Sequence, residues 1–255
     1  MSGATGVMAI ILLETAVGAA VLLWAGGVWG VVRRGFFLLT GSTIAFCAAG
    51  AWAIMAAETG VEAAATRATT AIAVFTVLAV LWLVLLLIRS ERLAHVAGLV
   101  TTVAGVAALL LFAGVRDRSP LLAGLELALG ALFLGSTAYG LLLGHWYLVE
   151  RRLTNRYMIR SSYLYGAGVI AAGIGTVLAA QNPAPEAGNL SPLIGIPSFT
   201  LLLAGGFVGI CALIAPFVWK LANEGGRSIQ AATGYFYLAV IMAFSAEMAA
   251  KLRFF

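Results

Sequence analysis

FTVLAVLWLVLLLI, residues 75–88, is an unbroken apolar run with one threonine and no charge. A half-buried strand, or a strand of a membrane barrel, alternates apolar and polar residues with period two. This run does not alternate. Hydrocarbon offers no partner to an unpaired backbone N–H or C=O, so a segment this apolar must close its hydrogen bonds internally, as a helix. Extended back to residue 69, it reaches the roughly 20 residues needed to cross a bilayer core. Outward from this segment, seven more runs of the same kind appear. The predicted spans are 6–30, 36–57, 69–88, 95–115, 121–148, 162–181, 197–219 and 229–250.

The composition agrees. Of 255 residues, 62% are hydrophobic and only 10% are charged, whereas a soluble domain carries roughly 25% charged residues. Eight spans nearly fill the chain, so no sizeable soluble domain is expected. A net charge of +5 would suggest a nucleic-acid partner in a soluble protein. Here the basic residues sit in short segments beside apolar spans, where membrane topology accounts for them, and no nucleic-acid partner is expected. The first span has no basic segment before it and contains Glu14, so it reads as a span and not as a cleaved signal. The predicted class is an all-α polytopic membrane protein with eight transmembrane helices.

Orientation follows from the cations. Ten of the 15 Lys and Arg residues follow spans one, three, five and seven: Arg33, Arg34, Arg89, Arg92, Arg151, Arg152, Arg156, Arg160, Lys220 and Arg227. The other face holds Arg67, Arg116, Arg118, Lys251 and Arg253. The bias predicts that the odd-numbered connections are cytoplasmic and that both termini lie on the outer face of the plasma (inner) membrane. The longest polar connection, QNPAPEAGNLSP (181–192), is then external; its three prolines argue for a loop, and Asn189-Leu190-Ser191 fits a glycosylation sequon.

A nine-residue pattern occurs twice. ETAVGAAVL (14–22) and ELALGALFL (126–134) share E-x-A-[VL]-G-A-x-x-L, matching Glu14 with Glu126 and Gly18 with Gly130. Composition alone produces Ala-, Gly- and Leu-rich likeness, but a carboxylate inside an apolar span is costly and is not explained that way. The expectation is a duplication into units 1–118 and 119–255. Each has four spans, so both enter the membrane from one side as parallel repeats.

Three carboxylates fall within spans: Glu14, Glu126 and Glu247. A charge at mid-bilayer costs at least about 2.5–3.5 kcal/mol, so each needs a partner, a wet cavity or a proton. Glu14 and Glu126 are expected at equal depth, one to two turns below the outer surface, with Glu247 near that surface. Together they would form a proton or cation site where the repeats meet. Alternatively, all three are helix-end residues close to the headgroups.

A second constellation sits at the cytoplasmic level. Gly144-His145-Trp146-Tyr147 closes span five, Arg151, Arg152, Arg156 and Arg160 follow, and Tyr163 opens span six. Aromatic belts and basic anchors are ordinary at an interface. The same residues also suit a quinone or lipid headgroup: His145, Tyr147 and Tyr163 as donors, Trp146 against the ring, and Arg152 toward phosphate. The other histidine, His95, opens span four on the same side, and with His145 it makes a weak haem-ligand pair. Cys47 and Cys211 lie mid-span without metal or disulfide spacing. There is no Walker motif, no nucleophile elbow, no His-Glu-x-x-His and no arginine-studded span. No metal site and no independent catalytic activity are therefore expected.

Two functions remain in front. One is a membrane subunit of an electron-transfer (respiratory-type) complex, touching quinone, handling protons, and contacting lipids and other membrane or peripheral subunits. The alternative is a secondary transporter with its carboxylate site between two repeats. A lipid-modifying enzyme or a scaffold is less well supported, because a single histidine with interfacial arginines is a thin acid–base set.

Overall fold

The computed structural model describes residues 3–58, 63–116, 119–150, 152–182 and 198–254. The described residues contain eight helices and no strand: α1 (Gly3–Ala25), α2 (Arg34–Glu58), α3 (Ala63–Leu87), α4 (Glu91–Ala113), α5 (Pro120–Val149), α6 (Arg156–Ala179), α7 (Phe199–Glu224) and α8 (Ser228–Lys251). All eight are long and apolar enough to span a bilayer. The chain is an all-α, multi-pass membrane protein. The stretch 183–197 with its sequon, and also Arg118 and Arg151, lie outside the described residues.

Most helices run past their apolar stretch, because interfacial polar residues remain in the hydrogen-bonded helix. α1 falls furthest short of its predicted end. It ends at Ala25, five residues before the predicted boundary. Gly27 and Gly30 adopt φ of +65° and +75°, a left-handed conformation that glycine tolerates and that stops a right-handed helix. Pro120 opens α5 at a first-turn position, where its missing N–H costs nothing. Pro216 lies inside α7 and does not end it.

Each set of four helices closes on itself. α1 packs on α2, α2 on α3, α3 on α4, and α4 returns to α1; α5 to α8 repeat the circuit. The two sets meet along α1 and α5, with α4 touching α5 and α8 touching α1. Exchanging the two sets leaves these contacts in place, whereas α2 also packs on α5, and α6 on α8, without an equally extensive counterpart. For the purposes of description, the near face is where α1 begins and α8 ends, and the far face is its opposite.

Inside, small residues at the helix crossings sit beside large buried rings such as Trp82, Phe36, Phe75 and Tyr165, and outside large aliphatic residues predominate. Val77, Leu81 and Val84 on α3, and Leu202, Leu213 and Phe217 on α7, point outward. That is the arrangement expected when the surrounding solvent is as apolar as the core, so that close backbone packing holds the helices together. The closest approach is between α1 and α5. A side chain on Gly18 would strike the Ala131 carbonyl, and one on Gly135 would strike the Gly18 backbone. The pairing of Gly18 with Ala131 and Gly135 sets α1 about one turn out of the register that matches Gly18 with Gly130.

Candidate functional site

Side chains on a helix lean toward its N-terminus. For α1 and α5 that direction is the near face, so Glu14 and Glu126 reach up. For α8 it is the bilayer interior, so Glu247 and Lys251 reach down. The four meet. Lys251 Nζ lies 3.0 Å from Glu14 Oε1, 3.7 Å from Glu126 Oε1 and 3.7 Å from Glu247 Oε2. It also donates to the Glu126 backbone carbonyl at 3.0 Å. Glu14 and Lys251 are almost completely buried, and Glu126 and Glu247 nearly so.

Gly130 makes room for this cluster. A Cβ there would run into the Glu14 carboxylate, so the bare backbone of α5 forms the wall of the site. Glu14 stands deeper than Glu126, in keeping with the shifted register of α1 and α5, so the expectation of equal depth is corrected while the convergence is present. Glu14 Oε2 has no hydrogen-bond partner among the described residues.

An outer ring closes the cluster at the near face. Arg116, just beyond α4, places Nη1 3.4 Å from Glu126 Oε2 and donates through Nη2 to the Arg253 carbonyl at 3.1 Å. Its guanidinium also lies over the Phe254 ring, 4.6 Å from the centroid. Asn182 Nδ2 donates to Glu126 Oε2 at 3.2 Å, and Arg253 Nη2 donates to the Asn182 carbonyl at 2.6 Å. With Arg116, Lys251 and Arg253 set against Glu14, Glu126 and Glu247, the formal charges cancel, which a low-dielectric site demands. A crevice of about 10 Å³ beside Arg116, Glu126 and Asn182 has room for roughly one water.

The three glutamates were legible as costly residues, whereas Lys251, Arg116, Arg253 and Asn182 were not singled out. Lys251 had a local signal in Glu247-Met248-Ala249-Ala250-Lys251, an i,i+4 acid–base pair on one helix face. A lysine at the end of a span reads equally well as a topology anchor, and that reading hid it.

At the far face the predicted set is not assembled. Tyr147 is buried and its hydroxyl is engaged, donating to the Thr154 carbonyl and accepting from the Met158 N–H. Trp146 packs on Gly35 and donates to Glu150 Oε2 at 2.9 Å; Glu150 in turn pairs with Arg33 at 3.1 Å. These contacts tie the end of α5 to the start of α2. Tyr163 faces outward and Arg152 is exposed. His145 is exposed and its Nδ1 lies 3.1 Å from the Tyr237 hydroxyl. His95 instead packs edge-on against Trp24 and Trp29, so the two histidines have different neighbours. No grouping of His, Cys, Asp or Glu suited to a metal occurs among the described residues.

No family model, curated protein or solved structure matches this chain.

Proposed function

We propose that this chain is a proton-coupled membrane carrier made of two four-helix units, 1–118 and 119–255, with the Glu14–Lys251 cluster between them as its coupling site. One observation carries the reading: a single buried ammonium stands within 3.7 Å of three carboxylates contributed by α1, α5 and α8. A proton added to one carboxylate leaves Lys251 to the other two, and its loss restores the first contact. Such an exchange changes how α8 is held against α1 and α5, which are the helices that join the units. The water-sized crevice beside Glu126 supports proton entry by way of a water held there. The distribution of basic residues supports an external near face carrying both termini, and we place the chain in the plasma (inner) membrane.

Two measurements test this. Infrared difference spectroscopy in lipid should show a protonated-carboxyl band that responds to pH and loses amplitude in Glu14→Gln. Proteoliposomes enclosing a pH-sensitive dye should dissipate an imposed proton gradient with some member of a panel of amino acids, sugars and metal ions, and Glu14→Gln should not. A pH-insensitive carboxyl region together with no solute-dependent flux rejects the proposal.

The second reading, a quinone-touching subunit of an electron-transfer complex with further protein subunits, is favoured by the His145–Tyr237 pair, which presents two hydrogen-bonding groups at the exposed helix surface. A quinone that co-purifies with the chain and is lost in Tyr237→Phe would support it.

A further inference from the structure

The far face holds two cavities at equivalent places in the two helix sets. The one between the α5–α6 and α7–α8 turns, about 710 Å³, is lined by Glu224 as well as Arg227 and presents no single sign of charge. The other, about 670 Å³, opens between the α1–α2 and α3–α4 turns, within the range of small-molecule sites. The charged side chains that line it, among those the structure describes, are Arg33, Arg34, Arg89 and Arg92.

The walls are apolar and aromatic. Trp29 and Phe37 lie 4.3 Å apart, centroid to centroid, and Trp29 meets His95 at 4.8 Å. Leu85 and Leu86 complete the side toward the bilayer. Two buried donors there make no hydrogen bond among the described residues: Trp29 Nε1 and Arg34 Nη1. Helices α2 and α4 both begin at this cavity, and their first-turn N–H groups add positive potential. All four arginines line this one hollow, Arg33 at its exposed rim, where it also pairs with Glu150.

The backbone gives an independent sign. Arg89 is the only described residue other than glycine with positive φ, at +64°. It closes α3 in the position where glycine is usual: Ser90 N–H donates to Leu85 O, and Arg89 N–H donates to Leu86 O. Glycine there would relieve strain, so an arginine at this position carries a local cost.

The geometry points to a binding site for a phosphate group carried on an apolar tail. Guanidinium forks match phosphate oxygens, the helix N-termini favour the same anion, and the apolar wall takes the first part of a chain. A lipid headgroup and free phosphate share this chemistry, and the apolar wall selects the lipid.

Nanodiscs of phosphatidylcholine with a minority of phosphatidylglycerol supply the test. Native mass spectrometry of the full chain released from them should show one retained phosphatidylglycerol and no phosphatidylcholine. Arg89→Gly should lower that retention about tenfold, as expected for one charge-assisted contact, while its thermal unfolding temperature stays level or rises. Arg156→Gln, an exposed basic position on the same face outside the cavity, should retain the lipid. Equal retention by Arg89→Gly, or retention of phosphatidylcholine in like amount, overturns the site. Displacement by millimolar inorganic phosphate alone makes the occupant a free anion and overturns the lipid.

Discussion

Lys251 Nζ and Glu14 Oε1 stand 3.0 Å apart in a fully buried ion pair, joining the last helix of the chain to the first. Around that contact the two helix sets are cross-linked by charge as well as by packing.

Removing the ammonium leaves three buried carboxylates around an empty place. Lys251→Met is expected to destabilise the protein by about 3–5 kcal/mol. Lys251→Met combined with Glu14→Gln should recover part of that loss, with a coupling of about 1–3 kcal/mol. Denaturant unfolding in micelles followed by circular dichroism measures both. Strictly additive effects would mean that the two groups do not act together.

Gly18→Ala should lower stability by more than about 2 kcal/mol, because the new methyl meets the backbone of α5, which cannot step aside. Gly205, in α7, has open space where a Cβ would go. Gly205→Ala should be neutral or stabilising by up to about 1 kcal/mol, as helix propensity predicts. Thermal melts of the two variants side by side separate close packing from propensity.

The Tyr139 hydroxyl is buried and has no hydrogen-bond partner among the described residues. Tyr139→Phe is therefore expected to hold or raise stability, by up to about 1 kcal/mol. A loss of that size would mean that the hydroxyl is satisfied in the membrane.

Tyr147 and Tyr163 were read alike from sequence and should now behave differently. Tyr147→Phe removes the hydroxyl that fastens the α5–α6 turn and should cost about 1–2 kcal/mol. Tyr163→Phe, on the outward surface, should stay within about 0.5 kcal/mol of the parent. A comparable loss in both variants would contradict these placements.

The eight spans were legible because hydrocarbon imposes a single solution on an apolar backbone. The three glutamates were legible because a carboxylate in such a segment is conspicuous. Their convergence was foreseeable from topology, since α1 and α5 start, and α8 ends, at one face. What sequence did not carry was register. Gly18 settles against Ala131 and Gly135 and not opposite Gly130, and a one-turn slide of this kind depends on which small residues face each other. Basic residues were the other blind spot. Lys251 and the arginines around the aromatic cavity satisfied the orientation rule, and a residue already accounted for by topology shows no excess to explain. Tyr147 looked available because nothing local revealed that the Thr154 carbonyl and the Met158 amide would occupy it.

The pairing of Glu14 with Lys251 also bears on biogenesis. Glu14 enters the bilayer with the first helix, yet its cation is made 237 residues later, roughly tens of seconds at ordinary elongation rates. Throughout that interval the nascent protein carries an uncompensated acid, which either holds a proton or keeps α1 close to the translocon. Arrival of α8 relieves it, so a chain cut short before α8 is expected to present to membrane proteases a polar flaw that the Glu14–Lys251 contact otherwise conceals.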